Sequence, residues 1–334
     1  MRSSTQGALS GNSGDPVTIA VIRAHEPSSG VLRLYDQVVE AVGPENALIV
    51  NDEVTARRST WPSRLNRVPL TAPLLERLGL RRDIPKLGWR CGDYAYYAAA
   101  EALSFDFVWL LESDVGFYGL TAGDLIDRLR GDDSDFVTHR ISRVAEEEWH
   151  WATTLTSRGI LDVWRTFFPL TRASSTAVDA SLQLRFATQY LSGVETPNDE
   201  VVVATAVGSA GLSTTELSLL WPDMFQFFGF FPRKMHSGTM ERRFPAPQIF
   251  HPVLDQEDYL DYLRHCMSVA ESQSPLRVIR EVARRILDLE KEDVWLIESV
   301  IPRRYRIMPH FERWIREYDT RRRKPAKEGE LGAF

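Results

Sequence analysis

The chain has 334 residues, 43% of them hydrophobic and 26% charged, with a net charge of −6. That is enough apolar matter for one large α/β core or two smaller ones, and the balance is too acidic for a nucleic-acid-binding body. Two cysteines, Cys91 and Cys266, exclude a disulfide framework and suit a reducing cytoplasm, and no apolar run is long enough to span a bilayer.

Met1–Asp15 is rich in Ser, Gly and Asn and predicts a disordered leader over 1–15. Val17–Arg23 (VTIAVIR) reads as a buried strand, with Arg23 and His25 at its end. Gly30–Val42 carries apolar residues at 31, 34, 38 and 42, a helical stripe, and Asn46–Val50 is a second strand. Such a βαβ start builds parallel, doubly wound sheets. No Gly-x-Gly-x-x-Gly follows the first strand, so the dinucleotide-binding fingerprint is absent. Arg57–Pro85, with prolines at 62, 69, 73 and 85, reads as an irregular loop over the site.

Gly92–Leu103 is Ala-rich and aromatic, a helix leading into Phe107–Leu111, a strand buried on both faces. Thr121–Arg130 follows as a helix, with Thr121 and Asp124 at its start and Gly131 at its end. Asp135–Arg140 is the next strand. The second half is aromatic at Trp149, Trp151, Trp164 and Phe225–Phe231, and Leu276–Leu289 and His310–Tyr318 read as amphipathic helices. Pro275–Lys324 holds 14 Lys and Arg against nine Asp and Glu. Its run Arg321–Lys324 reads as a solvated helix end, with at most peripheral contact to anionic lipid.

The chemistry concentrates where the Phe107–Leu111 strand ends, at Glu112-Ser113-Asp114. In open α/β sheets ligands sit just beyond the carboxyl ends of strands. Two carboxylates at i and i+2 can hold a hard divalent cation and leave room for phosphate oxygens. An acidic turn without function is the plainer alternative.

The block WRCGDYAYYAAAEAL (Trp89–Leu103) followed by FDFVWLLESDVGF (Phe105–Phe117) resembles GT-A-type glycosyltransferases, notably bacterial ones with a Trp-x-Cys-Gly-Asp-Tyr helix. The resemblance extends from Val17 to about Pro252; Glu112 stands where the strict pattern has its first aspartate. It implies a GT-A-like, Rossmann-related, mostly parallel sheet flanked by helices, with a catalytic domain over 16–255. A helical C-terminal extension over 256–322 and a flexible tail over 323–334 would follow.

It further implies a cytoplasmic enzyme moving a sugar from a nucleotide-diphosphate sugar to a hydroxyl-bearing acceptor, assisted by Mn²⁺ or Mg²⁺. Asp114, Glu112 and His251, at the end of the strand-like Ile249–Pro252, are the metal candidates; His236 is a weaker competitor. Glu112, Arg23, His25 and Asp93 are the donor or nucleotide candidates, although Asp93 also reads as a plain helix cap. Asp199 or Glu200, opening an apolar helix, would be the base; both are equally explained by the helix macrodipole.

Trp149 and Trp151 offer flat rings to an acceptor sugar, with ordinary core packing as the alternative. Cys91 reads as a small buried residue. A sugar nucleotidyltransferase is the nearest rival, but Ala24–Gly30 lacks the basic glycine-rich loop of that class. A non-catalytic nucleotide- or carbohydrate-binding module is the rival of another kind.

Overall fold

The structure, a computed structural model, describes residues 15–55, 59–145, 148–190, 195–229, 234–244 and 247–301. The leader before residue 15, Glu146 and Glu147, the His310–Tyr318 helix, the Arg321–Lys324 run and the tail lie outside them. The described strands are β1 (Thr18–Arg23), β2 (Ala47–Asp52), β3 (Arg67–Leu70), β4 (Phe107–Glu112), β5 (Gly116–Tyr118), β6 (Phe136–Thr138) and β7 (Ile141–Arg143). They continue as β8 (Trp164–Thr166), β9 (Leu170–Ser174), β10 (Thr214–Glu216), β11 (Met235–His236), β12 (Gln248–Phe250) and β13 (Val253–Leu254). The described residues fall into two compact units: those within 15–26, 38–111 and 130–216 make the first, and those within 27–37, 112–129 and 217–301 the second.

The first unit is built on a seven-stranded sheet in the order β10-β6-β9-β4-β1-β2-β3. β1 with β2, β2 with β3 and β6 with β10 pair parallel; β9 runs antiparallel to both β4 and β6. This is the expected α/β, mostly parallel sheet flanked by helices. Val108, Trp109, Leu110 and Leu111 of β4 are each at most 1% exposed, as a strand covered on both faces demands. The helix Tyr94–Ala102 packs on the sheet through Tyr94, Tyr96, Tyr97, Ala95, Ala98 and Ala99, all in the main apolar cluster. Small residues let the backbone approach while the tyrosine rings fill the remaining volume.

Two local expectations are corrected. Arg57–Pro85 is not simply loop: among its described residues it contributes β3 and the helix Ala72–Arg77. Pro69 lies in β3, which sits at the sheet's edge, where a missing N–H is tolerated. The helix begun by Thr121, whose hydroxyl and Asp124 form a capping box, is Ala122–Arg128 and ends before Gly131. Its cap is Leu129, so no left-handed glycine closes it.

In the second unit β5 pairs antiparallel with β12, and β11 pairs parallel with β13. The helices Gln256–Gln273, Pro275–Asp288 and Val294–Val300 bury Tyr259, Leu263, Met267, Val278, Val282 and Leu296 together. No helix among the described residues is long and apolar enough to cross a membrane.

Gly208, in the helix Asp199–Ser209, lies against the Trp164 ring, and a Cβ there would come within 2.4 Å of it. Gly208→Ala is therefore expected to lower unfolding free energy by about 1–3 kcal/mol through overpacking. Urea denaturation tests this; unchanged stability would mean that the indole moves aside freely.

Candidate functional site

β4 delivers Glu112 to the start of the second unit, and the turn after it places Asp114 beside His251, which directly follows β12. Val253 N–H donates to the Asp114 carbonyl at 2.8 Å and locks the two segments in register. His251 Nε2 lies 3.3 Å from Asp114 Oδ1 and 3.8 Å from Glu112 Oε2. The ligand atoms of Glu112, Asp114 and His251 all fall within 4.8 Å of one another, and no other such group occurs among the described residues. Two carboxylate oxygens and an imidazole nitrogen in that span form a donor set for a divalent cation, which fits the metal candidates named above.

Lys234 was not foreseen. Its ammonium donates to Asp114 Oδ2 at 2.8 Å, leaving Oδ1 toward His251. Burial alone would raise the Asp114 carboxyl; the hydrogen bond and charge of His251, with Lys234, overcome this and hold it well below the usual carboxylate range. Burial would lower the His251 imidazole, but its hydrogen bonds and attraction to Asp114 and Glu112 raise it to about 9. His236 does not join the group. It caps the helix Ser237–Arg243 through Thr239 N–H and sits 3.7 Å from Asp293.

The first unit gathers a different set at the ends of β1 and β2. Arg23 Nη1 donates to the Gly88 carbonyl at 2.8 Å and approaches Asp199 Oδ2 at 3.4 Å. Asp199 Oδ2 also accepts from Gly92 N–H at 2.9 Å, and its Oδ1 accepts from Glu200 N–H at 2.8 Å. Asp199 is 4% exposed, whereas Glu200 is half-buried and accepts from Asn198 Nδ2 at 3.1 Å. His25 is exposed, and a Cβ on Gly88 would meet both its ring and the Asp52 carboxylate.

Asp93 is reassigned. Neither it nor Arg185 has any exposed side-chain surface. Arg185 Nε and Nη2 donate to its two oxygens at 2.8 and 2.7 Å, Arg185 Nη1 donates to the Pro197 carbonyl at 2.6 Å, and the Tyr97 hydroxyl donates to Asp93 Oδ2 at 2.8 Å. The donor-contact reading of Asp93 gives way to a buried ion pair, because the carboxylate has no surface with which to meet a ligand.

Trp149 and Trp151 are partly buried against Val144, Ala152, Leu155, Val163, Val201 and Val202. The ring that faces solvent is Trp89, 57% exposed and edge-on to Trp151 at 6.0 Å. Cys91 is 1% exposed and burial pushes its thiol up to about 12, as befits a packing residue.

No family model matches the chain, and no curated protein does. Among solved structures, the mannosyltransferase PcManGT from Pyrobaculum calidifontis, in complex with GDP-Man and Mn²⁺, is similar over 92% of this chain and 87% of its own. Its identity is 9% and its TM-score 0.35. The inositol-1-phosphate CTP transferase from T. maritima matches 61% of this chain and 85% of its own, at 9% identity and a TM-score of 0.32. Core-mannan synthase A from Aspergillus fumigatus, in an Mn/GDP form, matches 62% and 74%, at 9% identity and a TM-score of 0.33. At these scores the likenesses bear on no residue's role, and the chemistry is read from the site's own residues.

Removing the Asp93 carboxylate strands Arg185 as an uncompensated buried charge. Asp93→Ala should cost about 3–5 kcal/mol of stability by urea unfolding; a loss typical of a surface substitution would show that the guanidinium finds water. His251 supplies a pH test in chelator-treated protein. Its folded value is raised from 6.5 to about 9, so the stability it adds is complete below pH 6.5 and is lost as pH rises through about 9. His251→Gln should flatten the melting temperature across that window; an unaltered slope would remove the ion pair from the site.

Proposed function

We propose that this chain is a GT-A-like glycosyltransferase that moves a sugar from a nucleoside-diphosphate donor to a hydroxyl-bearing acceptor with the help of a divalent cation. The observation that carries the reading is the convergence of Glu112, Asp114 and His251 from segments far apart in the chain. The resemblance of the Trp89–Phe117 block supports it.

In this reading Asp114, His251 and Glu112 hold Mn²⁺ or Mg²⁺. The bound ion supplies charge neutralisation for the departing diphosphate. Lys234 keeps one Asp114 oxygen occupied, so the other stays turned toward His251. Transfer breaks the bond between the sugar's anomeric carbon and the diphosphate oxygen and forms one to the acceptor oxygen, whose proton must go to a base. We assign that proton to Glu200 in preference to Asp199. Asp199's oxygens serve Gly92 N–H, Arg23 and Glu200 N–H, whereas Glu200 is the more open carboxylate of the same helical turn. Arg23 and His25 are assigned to the nucleotide, and the Trp89 and Trp151 rings to acceptor sugar.

The direct test is thermal unfolding against a panel of nucleoside diphosphates, each with and without Mn²⁺. A ligand at a hundred times its Kd should stabilise the native state by about 2.7 kcal/mol, and here only when metal is present. Stabilisation that ignores metal, or none with any diphosphate, would overturn the reading. Asp114→Asn, which also removes the charge facing His251 and Lys234, should remain folded with a lowered melting temperature and lose at least about a hundredfold in sugar transfer, since even groups that only support a metal ligand cost 10–100-fold. Wild-type turnover in that variant would dismiss the metal centre.

A further inference from the structure

The second unit contains a cavity of about 330 Å³, within the range of small-molecule sites. Its lining brings together the carboxylates of Glu241, Asp255 and Asp258, the Arg33 guanidinium and the Tyr118 ring. Asp255 is already served: Arg33 Nη2 donates to its Oδ1 at 2.6 Å, and Ser29 Oγ donates to its Oδ2 at 3.0 Å. Among the described residues neither Glu241 nor Asp258 has an ion-pair partner. Burial raises the Asp258 carboxyl; a hydrogen bond with Ser28 opposes the rise, and the nearby charges of Asp255, Glu257 and Asp261 add to it. The wall therefore carries more negative charge than it neutralises.

Tyr118 supplies an independent sign of a ligand. The residue is only 9% exposed, its ring packs edge-on against Phe250 at 5.4 Å, and its hydroxyl makes no hydrogen bond among the described residues. That hydroxyl senses Asp255, Arg33 and Glu241, all of which line the cavity. A hydroxyl with no protein partner beside the cavity is left for water or for a bound polar molecule to satisfy.

The acids do not suit a metal ion. Among the described residues only the Glu112, Asp114 and His251 set brings its ligand atoms within 4.8 Å of one another. Carboxylates spaced more widely, around a cavity that also presents Val115 and Leu254, fit a cation carried on carbon.

We propose that this cavity binds an organic ammonium ion, a protonated amine on an alkyl or sugar skeleton, with Glu241 and Asp258 meeting the charge and the Tyr118 hydroxyl hydrogen-bonding to the ligand. The cavity adjoins the metal candidates. Ser113 between Glu112 and Asp114 lines it, as does Val253, whose N–H holds the Asp114 carbonyl. Occupancy is thus one hydrogen bond removed from the Asp114 backbone.

The test is isothermal titration of chelator-treated full-length protein with putrescine, with glucosamine, and with glucose as the neutral match for the latter. At least one amine should bind, the tighter of the two identifying the skeleton, and glucose should not. The affinity should fall as NaCl is added. The double variant Glu241→Gln, Asp258→Asn should weaken amine binding by about tenfold or more, as the loss of charged hydrogen bonds implies. Tyr118→Phe, which keeps the ring and its packing, should weaken it several-fold. Circular dichroism and melting curves on each variant separate lost binding from lost fold. The proposal fails if neither amine binds, if glucose binds as tightly as glucosamine, or if a folded variant binds amines like the wild type.

Discussion

Asp93 and Arg185 lie 92 residues apart and form a two-pronged ion pair with no exposed surface on either side chain. Taking two charges out of water is expensive, and attraction offsets the cost only where the remaining donors and acceptors are also satisfied. Here they are: the third guanidinium donor meets the Pro197 carbonyl and the Tyr97 hydroxyl meets the carboxylate. Asp93 opens the helix Tyr94–Ala102, Arg185 belongs to the helix Ser175–Thr188, and Pro197 precedes the helix Asp199–Ser209. One interaction therefore fixes three helices relative to one another. Gly92 N–H reaches Asp199 because that arrangement exists, so the first turn carrying Asp199 and Glu200 inherits its place from a pair that touches no ligand.

The second unit handles charge differently. Glu112 and Asp114 face Lys234 and a His251 imidazole raised to about 9, so near neutral pH the cluster balances two negative groups with two positive ones. A cation entering there must first displace the imidazole proton, which couples its affinity to pH. Lys234 need not leave, because it occupies the Asp114 oxygen turned away from His251. The cluster is thereby balanced by its own side chains, with Asp114 held from both sides.

Legibility in the sequence followed the range of the signal. β1, β2, β4 and the helix Ser29–Val42 were readable because hydrophobic periodicity is local, and Thr121 with Asp124 announced a helix start because a capping box spans one turn. β3 was hidden by Pro69, whose tolerance depends on lying at a sheet edge that only the tertiary fold creates. β9 (LTRAS) was missed because Thr171 and Arg172 make it polar, although both are buried, with Tyr96 and Asp132 as their partners. At the site, Glu112 and Asp114 stood out from position alone, and His251 entered only through resemblance. Lys234 and Arg185 gave no signal, since a lone basic residue on a loop or helix is ordinary until its distant partner is known.

The remaining question is why four ionisable groups meet at the end of β4 at all. As a fastening they are poor, because apolar side chains of similar volume often stabilise as well as a buried ionic cluster or better. The adjoining segments show that such packing was open to this chain: Phe227, Phe244 and Phe250 stack beside β12, one residue before His251. The two carboxylates and the imidazole also keep 11–18% of their side-chain surface exposed, enough to admit a ligand and too little to count as solvated surface charge. Asp114 and His251, strongly shifted and held in that intermediate state with a specific charge partner for each, are what a binding or catalytic centre requires and what folding alone does not.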